Sequence, residues 1–158
     1  QEEGAAFGGE LSGHFFFLDN FYGHDDGAIA TLRILAYLTR VNKKLSEVVA
    51  ELPQYISSPE IKLGLADEIK FKFISEKLGA EIKSLYPDAK YVEIDGVRMD
   101  TPGEMMIIRA SHNGPYMTVK FEGKTQESYD KIKKQIHDFL RKYSEIDFPS
   151  RANTDALD

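Results

Sequence analysis

Apolar positions along the 158 residues switch repeatedly between the strand and the helix period, and each switch marks an element. The stretch "AAFGGELSGHFFF" (residues 5–17) reads as a glycine-bounded loop running into the apolar run "HFFF", which predicts a buried strand. After the turn "LDNFYGHDDG", the segment "DGAIATLRILAYLTRV" places Ile29, Leu32, Leu35 and Ala36 at helical spacing, with Asp25 or Asp26 available as its cap. A short second helix, "KLSEVVAEL", ends at Pro53. One strand and two helices do not close a core of their own. Residues 1–52 therefore read as the C-terminal part of an α/β domain.

The prolines and serine pair of "LPQYISSPEI" place a domain boundary at about residue 53. Beyond it, "YISSPEIKLGL" reads as a strand. "ADEIKFKFISEKLGAEIKSLYP" reads as a helix with Ile69, Phe73, Ile74, Leu78, Ile82 and Leu85 on one side. Strand patterns follow in "KYVEI", in the "DGVRM" return after a tight Asp95–Gly96 turn, and in "GEMMIIRA". A further strand, "YMTVKFEG", alternates with Met117, Val119 and Phe121 on one face. "SYDKIKKQIHDFLRKY" is an amphipathic helix through Tyr129, Ile132, Ile136, Phe139, Leu140 and Tyr143, and the polar tail "SRANTDALD" is expected to fray. Residues 53–158 thus predict an α+β domain: an antiparallel sheet with two helices on one face.

Composition narrows the function. The net charge is −6, which argues against a long nucleic-acid groove, although a few focused donors can still bind one phosphate. There are no cysteines, so disulfides, thiolate metal sites and a cysteine nucleophile are excluded. No apolar run approaches the length of a membrane span; a cytoplasmic protein with neither membrane nor nucleic acid as partner is expected. The opening "QEEGAAFGGE" has no methionine and lies close to a motif, which reads as a start inside a longer protein.

Two segments carry candidate chemistry. In "RASHNGP", Arg109 offers a planar fork suited to phosphate or carboxylate, and Ser111 and Asn113 add neutral donors. Gly114 lets the backbone turn so that successive N–H groups, including that of His112, point into one concavity. Arg98 in "DGVR" can reach the same place across the sheet. The competing reading is a polar hairpin loop that satisfies only its own backbone. In "GGELSGH", Glu10, Ser12 and His14 alternate along an extended segment and can point one way, a set suited to sugar hydroxyls, with His14 able to carry a proton. The competing reading is a glycine-rich strand entrance. "GHDDG" looks like a metal cluster but is more simply a helix cap.

Taken in order, "GGELSGH", "FYGHDDGAIATLRIL", "DGVRMD" and "RASHNGPYMTVKFEG" resemble motifs of the α-D-phosphohexomutase superfamily, most closely its phosphomannomutase/phosphoglucomutase branch, over about residues 5–145. The resemblance implies the end of the third of four domains followed by the fourth, whose family fold is a TATA-box-binding-protein-like antiparallel sheet with two helices. It also implies interconversion of hexose 1-phosphate and 6-phosphate through a phosphoserine and a hexose 1,6-bisphosphate, assisted by Mg²⁺. The serine and metal loops of that chemistry belong to N-terminal domains missing here, so the fragment alone is expected to be inactive.

By residue, the resemblance implies that Glu10, Ser12 and His14 contact the sugar. Arg109, Ser111, His112, Asn113 and Gly114 then form the phosphate loop. "RASHNGP" is also a near copy of the family's catalytic Thr-Ala-Ser-His-Asn-Pro. The arginine at its head, the glycine before Pro115 and the following strand ending "KFEG" assign Ser111 to phosphate holding instead. The alternative is a free-standing phosphate- or phosphosugar-binding module without a catalytic role.

Overall fold

The computed structural model describes residues 4–10, 12–148 and 152–157. The chain divides into two compact units, Gln1–Pro53 and Gln54–Asp158.

In the first unit, β1 (Phe7–Gly9) and β2 (Phe15–Phe17) form an antiparallel hairpin with Phe7 opposite Phe17 and Gly9 opposite Phe15. The loop expected before "HFFF" is therefore partly a strand. Its glycines carry little strand propensity, and pairing with β2 supplies what propensity lacks. Phe15, Phe16 and Phe17 are half-buried rather than buried, because a two-stranded ribbon covers only part of each ring. Asp26 caps α1 (Gly27–Val41), its carboxylate accepting the N–H groups of Ala28 at 2.8 Å and Ile29 at 2.9 Å. The helix stops at Asn42, whose φ of 51° is left-handed. In α2 (Leu45–Ala50), the Glu47 carboxylate accepts the Lys44 N–H at 2.6 Å. No described residue of this unit is fully buried, and Leu32 and Leu35 of the α1 stripe are 61 % and 54 % exposed.

The second unit holds the core. Its antiparallel sheet runs β8 (Tyr116–Gly123), β7 (Glu104–Ala110), β6 (Val97–Asp100) and β5 (Lys90–Val92), with β3 (Ile56–Ser57) and β4 (Ile61–Gly64) end to end along the free side of β8. The single strand expected over residues 55–65 is broken in two. Pro59 lacks an N–H, and the buried Ser58 hydroxyl takes the ladder's place by accepting the Phe121 N–H at 3.0 Å.

The inner face is lined by Ile61, Leu63, Val97, Met99, Met106, Ile108, Met117, Val119 and Phe121, all 2 % exposed or less. Helices cover this face. One helical run joins α3 (Lys70–Lys72), a π-helical stretch (Phe73–Leu78) and α4 (Gly79–Leu85), and the other is α5 (Gln126–Leu140). The widened π turn brings Phe73, Ile74, Leu78 and Ile82 inward together. Ile69 and Leu85, expected on the same side, are exposed at the two ends of the run, where the stripe overruns the helix–sheet contact.

Over residues 152–157 the tail does not fray as expected, while residues 150, 151 and 158 lie outside the described residues. Leu157 is buried, and the Lys62 N–H donates to Ala152 O at 3.0 Å. Gly64 and Asp147 exchange backbone hydrogen bonds of 2.7 and 2.9 Å. These segments cover the otherwise open edge of β4.

Candidate functional site

The β7–β8 hairpin carries the loop singled out above. The Ser111 N–H donates to Tyr116 O at 3.0 Å and closes the turn, and the Ser111 hydroxyl accepts the Asn113 N–H at 3.0 Å. Ser111 is only 8 % exposed, and no histidine or carboxylate contacts its hydroxyl among the described residues, so it has no base to make it a nucleophile. The backbone N–H groups of His112 and Gly114 have no partner among the described residues.

Arg109 lies on the sheet face away from the helices, because it follows the buried Ile108 in the strand alternation. Its guanidinium stands 3.2 Å from Asp95, and the His112 ring stands 3.5 Å from the other oxygen of that carboxylate. Two groups able to bind an oxyanion thus converge on one point. Gly96 makes this possible. With φ at 103°, a Cβ there would lie 2.2 Å from Ile108 O and 2.7 Å from the Arg109 Cα. Phe71 packs against the His112 ring with centroids 5.4 Å apart. Phe71, Ile74, Asp95 and His112 are among the residues lining a cleft of about 540 Å³ beside the loop.

Two sequence expectations change. Arg98 shares the outer face but forks onto Asp100, with two contacts of 2.7 Å, and so turns towards the opposite end of β6 from the loop. Its guanidinium holds the Asp100 carboxyl below the usual range. Gly114 is absent from the positive-φ glycines, so it does not supply a left-handed turn; a Cβ there would meet the Tyr116 ring at 3.2 Å, a tight contact that the ring must give way to by a few tenths of an ångström.

In the first unit, Glu10, Ser12 and His14 are not spread along an extended strand. They surround the β1–β2 turn, where Glu10 N donates to His14 O at 2.9 Å and Gly13 N to Glu10 O at 3.0 Å. Gly13, at φ 87°, permits the tight turn. The Ser12 hydroxyl donates to the Glu10 carboxylate at 3.0 Å. The His14 ring bonds Asp25 at 2.5 Å, and that carboxylate's second oxygen accepts the Phe15 N–H at 3.0 Å. The hydrogen bond to Asp25 pushes the His14 pKa up and, reciprocally, holds Asp25 below the usual carboxylate range. Sequence reasoning missed Asp25 as the partner of His14. The available signal was the doubled aspartate, since Asp26 alone suffices as the cap.

Among the described residues no group of three or more His, Asp or Glu side chains could hold a metal ion. Asp25 and Asp26, the strongest candidates in the sequence, are committed to His14, Phe15 N and the α1 cap, so they do not fit a Mg²⁺ site. No described helix is long and apolar enough to cross a membrane.

The fold and this geometry define an α+β protein that presents a donor-rich loop at one end of an antiparallel sheet. Residues 1–55 match the family model described as phosphoglucomutase/phosphomannomutase, alpha/beta/alpha domain III. The chain is 34 % identical over 150 residues to a phosphomannomutase/phosphoglucomutase of Pseudomonas syringae pv. tomato, covering 94 % of this chain and 32 % of that protein. It is 36 % identical over 146 residues to a probable phosphoglucosamine mutase of Methanothermobacter thermautotrophicus, covering 91 % of this chain and 31 % of that one. A crystal structure of a phosphoglucomutase/phosphomannomutase family protein from Burkholderia thailandensis superposes with a TM-score of 0.70 at 30 % identity, covering 89 % of this chain and 29 % of that one. Over about nine-tenths of its length the chain is thus similar to phosphoglucomutase/phosphomannomutase proteins, and it spans about a third of the length of the relatives it matches.

Proposed function

We propose that this chain is the substrate-holding, C-terminal portion of a phosphohexomutase that interconverts hexose 1-phosphate and 6-phosphate. The observation that carries the reading is the convergence of Arg109 and His112 on one carboxylate, beside the N–H groups of His112 and Gly114, which have no partner among the described residues. An oxyanion held there would meet a guanidinium and backbone donors together, which suits a non-reacting phosphate. The turn of the first unit, with Glu10, Ser12 and the hydrogen-bonded pair of His14 with Asp25, takes the sugar hydroxyls, and His14 can carry a proton. Binding energy gathered at these groups orients a reacting centre elsewhere.

Phosphoryl transfer itself falls to N-terminal domains of the same protein, which supply the phosphoserine and the Mg²⁺ loop. The exposed Leu32 and Leu35 support the need for such a neighbour, since α1 leaves this part of its apolar stripe exposed. The parent protein is expected to be cytoplasmic, with a phosphosugar as its partner.

The test is a ¹⁵N-resolved NMR titration of the chain with glucose 1,6-bisphosphate. Saturable, reversible shifts at Arg109 to Gly114 are expected. Arg109→Ala removes a charged hydrogen-bond donor, a loss of about 1.5–3 kcal/mol and so roughly 10- to 150-fold in affinity. Equal affinity in that variant would refute the assignment. Binding by the chain, together with a gene lacking the upstream serine and metal loops, would favour a free-standing phosphosugar-binding module.

A further inference from the structure

A buried lysine sits beneath the loop and bonds the carbonyl groups of two of its residues. Lys70, in the first turn of the long helical run, is 5 % exposed. Its Nζ donates to Asp67 at 2.6 Å, to Ser111 O at 2.5 Å and to Gly114 O at 2.9 Å. An ammonium has three protons to give, and all three are committed. The side chain therefore has no donor left for a ligand, and its effect must pass through the two loop carbonyls.

We propose that Lys70 is a positioning residue that sets the conformation of the phosphate loop; its link to phosphate rests on the function proposed above. The argument is geometric. The Ser111 carbonyl shares one planar trans peptide with the His112 N–H, so the two bonds point in opposite directions. Drawing that carbonyl inward to Lys70 turns the His112 N–H outward, and this N–H has no partner among the described residues. Holding Gly114 O, which also accepts the Tyr116 N–H at 2.8 Å, pins the far side of the same turn. The cation also polarises the Ser111–His112 peptide in the direction that strengthens its N–H as a donor. Lys70 supplies this short polar loop with a buried hydrogen-bonded anchor from the helix side.

The absence of cysteine makes the test specific. Lys70→Cys introduces a unique thiol, which 2-bromoethylamine alkylates in denaturant before refolding. This restores an ammonium at nearly the original length, while a propyl halide gives a neutral control. Without ligand, the Ser111–Gly114 amides are expected to show raised picosecond-to-nanosecond mobility in Lys70→Met and in the propylated protein, and native behaviour in the aminoethylated one. Glucose 1,6-bisphosphate is expected to bind the two neutral forms about 10- to 100-fold more weakly, with binding recovered by the aminoethyl group.

A folded Lys70→Met with unchanged loop mobility overturns the proposal whether or not the ligand binds, and so does unchanged affinity. Failure of the native protein to bind the bisphosphate refutes the function proposed above, and the ligand-free mobility then decides the role of Lys70 separately. Should the neutral forms not fold, the native Lys70 ammonium resonance decides the matter. Slow proton exchange with hydrogen-bond couplings to the Ser111 and Gly114 carbonyl carbons supports the proposal. Exchange as fast as that of the surface lysines overturns it.

Discussion

Substituting Gly96 with alanine tests the tightest point of the second unit. The added Cβ would lie 2.2 Å from Ile108 O, 2.7 Å from the Arg109 Cα and 2.9 Å from its Cβ. None of these atoms is the free end of a flexible side chain. Ile108 is fully buried and paired with Val97, so β7 cannot retreat without breaking its register with β6. The residue also holds φ at 103°, a conformation that costs an L-residue about 1–2 kcal/mol. Overpacking against a fixed backbone adds about 1–3 kcal/mol. Together these predict a loss of about 2–5 kcal/mol, a large part of the roughly 5–15 kcal/mol available to a domain.

The assay is urea unfolding followed by circular dichroism, with amide resonances of β6 to β8 reporting the second unit separately. At the low end of that range, the melting temperature is expected to fall by at least about 8 °C. In the folded fraction, displacement of Asp95 should also shift the Arg109 and His112 resonances. A loss below about 1 kcal/mol would refute the reasoning, because it would mean the Asp95–Gly96 turn is not pressed against β7 as described.

Three further outcomes follow from individual contacts. His14 has a raised pKa, so its interaction with Asp25 is complete below the unfolded value of 6.5 and is lost as pH rises through the folded one. Asp25 is depressed, so its share is present above 3.8 and is lost as pH falls through its folded pKa. Asp25→Asn should bring the His14 midpoint, read from its ring carbon shifts, down to about 6.5; an unmoved midpoint would show that the pair is not formed. Asp26→Ala removes the acceptor for two α1 N–H groups and should destabilise that helix by about 1 kcal/mol, read as faster amide exchange at Ala28 and Ile29. Prolonged incubation with glucose 1,6-bisphosphate should leave Ser111 free of any phosphoryl group by mass spectrometry, since its hydroxyl has no base beside it; a stable adduct at Ser111 would overturn its assignment as a phosphate holder.

Much of this molecule was legible in the order of its residues. Alternation placed Met117, Val119 and Phe121 on one face, and helical spacing placed Ile132, Ile136, Phe139 and Leu140 on another; all are buried. These are local periodicities, set by how side chains leave a strand or a helix.

Tertiary structure alone decided which donors meet. Asp95 reaches Arg109 and His112 because Val97 pairs with Ile108 across the sheet. Lys70 reaches Ser111 from 41 residues away because α3 packs against β7, the strand that leads into the loop. Arg98 fails to join them because a nearer carboxylate, Asp100, takes its fork. The tail docks on β4 because an unpaired strand edge seeks backbone partners wherever the chain brings them. Periodicity reports which face of an element is apolar. It carries no information on which distant backbone or charge that element will meet, since those meetings depend on strand register and on desolvation in the assembled core.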